Sequence, residues 1–168
     1  MLVSVLGKTT ALIEGVRPEQ RTLPTPCPDL DVAALTDHLV GWLLAFAARA
    51  AAEEPAVDPN AYRCGADPAG EFAAASRRAV AAAPDPKLLG MMLIEYVGHG
   101  WDLAVATGQP VPYTDAEAQA ALDAARGMLR PAYRGPGKTF GYEVEVGAGA
   151  STVERLVAFI GRDPVAAR

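Results

Sequence analysis

The sequence predicts an all-α protein, and three observations carry that expectation. Alanine, the strongest helix former, is concentrated in runs at 47–52 and 79–83. Apolar residues recur at helical spacing through long windows separated by proline-bearing connections. Several windows also open on side chains suited to capping free backbone N–H groups. At 168 residues the chain reads as one domain, 1–168, long enough for a substantial core.

Met1–Val16 forms the first predicted helix, with Leu2, Val5, Leu6, Ile13 and Val16 as a partial apolar stripe and Pro18 as its stop. Three prolines between Arg21 and Pro28 predict an extended connector. Asp29 or Asp31 then caps a second helix to about Ala52, on which Leu35, His38, Leu39 and Trp42 share a side. Glu53–Gly65 reads as a loop. Asp67-Pro68 supplies an N-cap and a first-turn proline for a third helix ending near Ala83. A fourth helix spans about Lys87 to Thr107, with Gly108 as its C-terminal glycine. It is apolar on nearly every side, so it is expected at the centre of the fold. Thr114 and Glu117 form a capping box for a fifth helix to about Arg130. In the glycine-rich stretch 135–149, residues Thr139–Val146 alternate weakly and predict a short strand. Ser151 and Glu154 form another capping box, opening a short last helix that Gly161 closes. Helices joined by connections of this length predict a bundle.

Composition narrows the functional classes. The net charge is −5 and no basic patch stands out, which disfavours nucleic-acid binding. No apolar run reaches about 18 residues and no signal-peptide pattern opens the chain, so a cytoplasmic protein without membrane insertion is expected. Cys27 and Cys64 form no metal-binding pair and are expected as ordinary thiols in a reducing compartment.

The chemistry concentrates around the only two histidines. Glu95, His99 and Asp102 are spaced i, i+4 and i+7, so on a helix they line one face. His38 would arrive from a neighbouring helix. A carboxylate and two imidazoles make a three-ligand divalent-metal site with a position left open, the arrangement of catalytic zinc. The donor types suit Zn²⁺, with Ni²⁺, Co²⁺, Mn²⁺ or Fe²⁺ as alternatives. Asp102, the candidate catalytic residue, is a fourth ligand, a partner orienting His99, or a base near bound water. Arg162-Asp163 reads as an ion-paired C-terminal lock. Cys27 has no evident histidine to activate it.

Three blocks carry a family resemblance. They are Thr25-Pro26-Cys27-Pro28-Asp29-Leu30-Asp31-Val32 with Leu35, His38 and Leu39; Glu95 through Ala104 with Ala106-Thr107-Gly108-Gln109; and Leu156 through Pro164. In this order they resemble the DinB/YfiT-like superfamily, in its branch related to mycothiol-dependent maleylpyruvate isomerase. Leu30 departs from the tryptophan usual there. The resemblance implies an up-down-down-up four-helix bundle, with an extra short C-terminal helix, and a metal at one end held by His38, Glu95 and His99. It also implies thiol chemistry: mycothiol as a possible cofactor, and a low-molecular-weight thiol attacking a small-molecule electrophile as an S-transferase. Isomerisation or hydrolysis of a small metabolite, or a non-enzymatic metal-binding accessory role, are the alternatives. The isomerase's further C-terminal domain is not expected here, which favours a simple transferase. A homodimer is compatible with the chain, since small bundles often bury a spare apolar helix face, although the sequence does not identify one.

Overall fold

The computed structural model describes residues 1–167. Among these residues the helices are α1 (Leu2–Glu14), α2 (Val32–Ala50), α3 (Pro68–Ala81), α4 (Pro86–Thr107), α5 (Asp115–Met128) and α6 (Thr152–Phe159), with 3-10 turns at Pro18–Gln20 and Pro131–Tyr133.

The ends of the helices fall where side-chain chemistry puts them. Asp31, not Asp29, caps α2 by accepting from the Ala34 N–H. Asp29 instead takes a left-handed conformation, φ 69°. Asp67 and Asp85 cap α3 and α4, each followed by a proline whose missing N–H costs nothing at a helix start. Both expected capping boxes, Thr114 with Glu117 and Ser151 with Glu154, are formed in full. Gly108 ends α4 in the left-handed region at φ 67°, a conformation open to glycine without a Cβ penalty.

The connections fix the bundle's direction. Gln20 donates to the Thr107 carbonyl and Gln109 to the Leu12 carbonyl, placing the ends of α1 and α4 together. Thr36 and Asp67 line one cavity with Ile13, so the starts of α2 and α3 lie at that same end. Arg78 pairs with Glu53, joining the far ends of α2 and α3. The first four helices therefore run up, down, down, up: a DinB-like all-α bundle. Helix α1 packs on α3 and α4, and α2 packs on the same two.

α4 is the central helix, with buried residues around its whole circumference from Leu88 to Thr107. α5 lies along it, and α6 closes against both. Fully buried Leu6, Leu35, Leu39, Leu43, Phe72, Met92, Tyr96, Leu103 and Leu156 fill the interior. Among the described residues, helix α2 alone is long and apolar enough, by length and composition, to cross a membrane. Its Leu35, Leu39, Leu43 and Ala47 are buried against the other helices, as in a core helix.

The strand expected at Thr139–Val146 does not form. The segment makes one bridge, Arg134 with Phe140, and one bond from Val144 N to the Ala158 carbonyl. The described residues offer no second extended segment for it to pair with, and a lone strand cannot satisfy its backbone groups.

Candidate metal centre

The site forms where the first turns of α2 face the second half of α4. The connector before α2 is tied down by backbone bonds from Val32 N to Leu23 O and Ala33 N to Arg21 O. This fixes the register that points His38 at α4. On α4, the one-turn spacing of Glu95 and His99 presents both to the same spot.

His38 Nε2 lies 2.8 Å from Glu95 Oε1, and His99 Nε2 lies 3.7 Å from that same oxygen. The two imidazole centroids are 4.8 Å apart at 71°. Donor atoms bound to one tetrahedral Zn²⁺ at about 2.0–2.1 Å stand roughly 3.3 Å from each other. The three side chains thus offer donors at fitting separations, and one ligand atom from each lies within 4.8 Å of the others. Their side chains remain 24%, 21% and 13% exposed, so solvent reaches the cluster. Two imidazoles and one carboxylate fit a borderline divalent cation.

Asp102 stands on the other side of His99. Its side chain is fully buried, and Oδ2 lies 3.0 Å from His99 Nδ1. A carboxylate there accepts a hydrogen bond from Nδ1–H, so that Nε2, the nitrogen facing Glu95, is the one left to bind a cation once its own proton is lost. Arg162 answers Asp102's charge: Nη2 donates to Oδ2 at 2.8 Å and Nε to Oδ1 at 3.3 Å. The same Nη2 lies 3.3 Å from His99 Nδ1. The expected Arg162-Asp163 lock is thereby corrected in its pairing. Arg162 pairs with Asp102 across the fold, while Asp163 caps the backbone N–H groups of Val165 and Ala166.

The charges are strongly interdependent. Burial opposes a proton on His99, but the Glu95 charge and the bonds to Asp102 and Cys27 outweigh it, so its pKa is pushed up to about 10. Burial also works against the charges of Glu95 and Asp102. Glu95 is nonetheless held below the usual carboxylate range by His99 and His38, and Asp102 by His99 and Arg162.

Cys27 does have a histidine beside it. Its Sγ, a His99 ring nitrogen and an Asp102 oxygen all lie within 4.8 Å of one another. Sequence spacing hid this neighbour because it is 72 positions away and the connector brings it in. Arg162 was hidden in the same way, although a buried aspartate on an apolar helix signals that some cation must meet it. Trp42 tilts against His38 at 6.1 Å and Phe46 at 5.5 Å, forming a wall along α2. An open cavity of about 460 Å³, lined by Pro24, Thr25, Pro26, Val105, Ala106 and Asp163, borders the connector that carries Cys27.

Residues 4–89 match the family model of the mycothiol maleylpyruvate isomerase N-terminal domain. Two relatives, both named only as uncharacterized proteins of Mycobacterium tuberculosis (strains CDC 1551 and H37Rv), are each 32% identical over 164 residues, covering 90% of both chains. No solved structure matches.

Proposed function

We propose a function from the premise that this chain belongs to the mycothiol maleylpyruvate isomerase N-terminal domain family, within the DinB/YfiT-like superfamily: it is a divalent-metal-dependent thiol S-transferase. The convergence of His38, Glu95 and His99 on one solvent-reached point carries this reading. These three residues would hold the metal, zinc or a similar divalent ion. A bound cation of this kind supplies Lewis acidity, keeping a low-molecular-weight thiol such as mycothiol deprotonated and nucleophilic at neutral pH.

The protein's own groups do the rest. Asp102 accepts a hydrogen bond from His99 Nδ1–H and fixes the ring so that Nε2 faces Glu95 and His38. It is a positioning residue in this scheme, set apart from solvent by complete burial. Glu95 contributes one negative charge against the two positive charges of a divalent ion held between two neutral imidazoles. The exposed edge of the cluster admits the thiol and a small electrophile, and Trp42 provides an apolar wall beside them. The chemistry requires a reduced thiol pool, which is the condition of the cytoplasm.

Metal content of the purified protein tests the reading, together with transfer of mycothiol to a small electrophile followed by loss of free thiol. About one zinc or similar ion per chain, lost in His99→Ala together with transfer, is the expected result. Absence of metal after reconstitution with excess Zn²⁺ and Ni²⁺ overturns it.

A further inference from the structure

The residue that completes the site comes from the opposite end of the chain. Arg162 is 8% exposed, and its guanidinium reaches both oxygens of a fully buried Asp102 and the Nδ1 edge of His99. Several features turn it inward. Gly161, at φ 101°, packs so closely on Gly141 that a Cβ would come within 2.5 Å of the Gly141 Cα. Arg134 stacks over the Phe159 ring at 4.3 Å and donates to the Phe159 and Gly141 carbonyls. Arg162 N bonds to the Val157 carbonyl at 2.9 Å, and Ile160 seats against Gly98 one residue before His99.

We infer that Arg162 is a positioning residue of the metal centre, which holds Asp102 on the Nδ1 side of His99 and keeps that carboxylate from becoming a metal ligand. The inference rests on the metal reading proposed above. Its physical basis is that the guanidinium forks onto both carboxylate oxygens, a geometry an ammonium cannot reproduce. With both oxygens so held, Asp102 can orient the imidazole but cannot swing toward Glu95. The side chains at the exposed face are then three, and a coordination position stays open for a thiol. The positive charge on the Nδ1 side also makes the Cys27, His99 and Asp102 group a poor place for a second cation.

Titration of the metal-free wild-type protein with Co²⁺, read by its d–d absorption and by competition with a chromophoric chelator, is compared with Arg162→Lys and Arg162→Met. The inference expects the Co²⁺ affinity of both variants to move about tenfold or more from wild type, upward where the freed Asp102 joins the ion and downward where His99 only loses its support. It expects a changed d–d band as Asp102 is released, with Lys intermediate. Wild-type affinity and an unchanged band in a folded Arg162→Met overturn it. If that variant does not fold, Arg162→Lys decides by the same two readouts, and wild-type values there overturn it equally. A wild-type protein that binds neither Co²⁺ nor Zn²⁺ removes the metal reading itself, an outcome distinct from metal binding that ignores Arg162.

Discussion

Metal loading should depend on pH far above the range of an ordinary histidine. In the metal-free protein His99 holds a proton up to about pH 10, because Glu95, Asp102 and Cys27 outweigh the cost of burial. A cation must take His99 Nε2 with its lone pair free, so binding expels that proton. At pH 7 the group lies about three units below its midpoint, each unit worth about 1.4 kcal/mol, so the proton weakens metal binding by about 4 kcal/mol, or roughly 10³-fold. Apparent affinity should therefore rise about tenfold per pH unit from 6.5 through 8.5. A histidine near its ordinary 6.5 would level off above about pH 7.5. The assay is chelator competition across that range, with calorimetry at pH 7 in buffers of different ionisation enthalpy to count the protons released. Affinity that levels off by pH 7.5, with no proton released at pH 7, refutes the charge arrangement inferred for the site. The sign for the metal-free fold is opposite. A pKa raised from 6.5 to about 10 contributes stability that is full below about pH 6.5 and is lost as pH rises through 10.

Asp102→Asn leaves the Arg162 guanidinium buried without its counter-charge, so unfolding should become easier by about 3–5 kcal/mol, lowering Tm by on the order of 10 °C. Its metal affinity should fall about 10- to 100-fold; calorimetric unfolding and chelator competition read the two effects. Glu117 accepts from Ser4, Lys8 and the Thr114 backbone, which together overcome its burial and pull its pKa down to about 2. That stability is full above about pH 4.5 and lost as pH falls through 2, and Glu117→Gln should cost about 2 kcal/mol by urea unfolding at pH 7. Equal wild-type and Gln stabilities at pH 7 would show the staple between α1 and α5 to be idle. Tyr96 buries a hydroxyl with no hydrogen-bond partner among the described residues, so Tyr96→Phe should be neutral or stabilising by up to about 1 kcal/mol. A clear loss of stability would mean that a buried water serves that oxygen.

Most of the helical frame was legible because it rests on local chemistry. The stripe from Glu95 to Asp102, the caps at Thr114 and Ser151 and the left-handed turn at Gly108 are all read within a few residues. Two helix ends were less legible: α2 and α3 are followed by Ala52 and Ala83 at positive φ, where no glycine marks the turn. The strand expected at Thr139–Val146 failed for a related reason. Alternation gives a segment one apolar face, but a strand exists only if another chain segment accepts its hydrogen bonds. The clustering of His38, Glu95 and His99 was legible and its surroundings were not. Glu95 and His99 share a face by helical period, and His38 was brought in by its placement on a second helix and by resemblance.

By itself the sequence determined an all-α chain, most of the borders of its helices and the shared face of Glu95 and His99, since each depends on spacing within a turn or two. Only the tertiary structure decided what surrounds them. Arg162 lies 60 residues from Asp102, and Cys27 reaches His99 from a proline-rich connector. These meetings depend on the crossing of α2, α4 and the chain beyond α6, which no local period records. They also set the charge that a solvent-reached imidazole carries, because burial and neighbouring charges act through space and not along the chain.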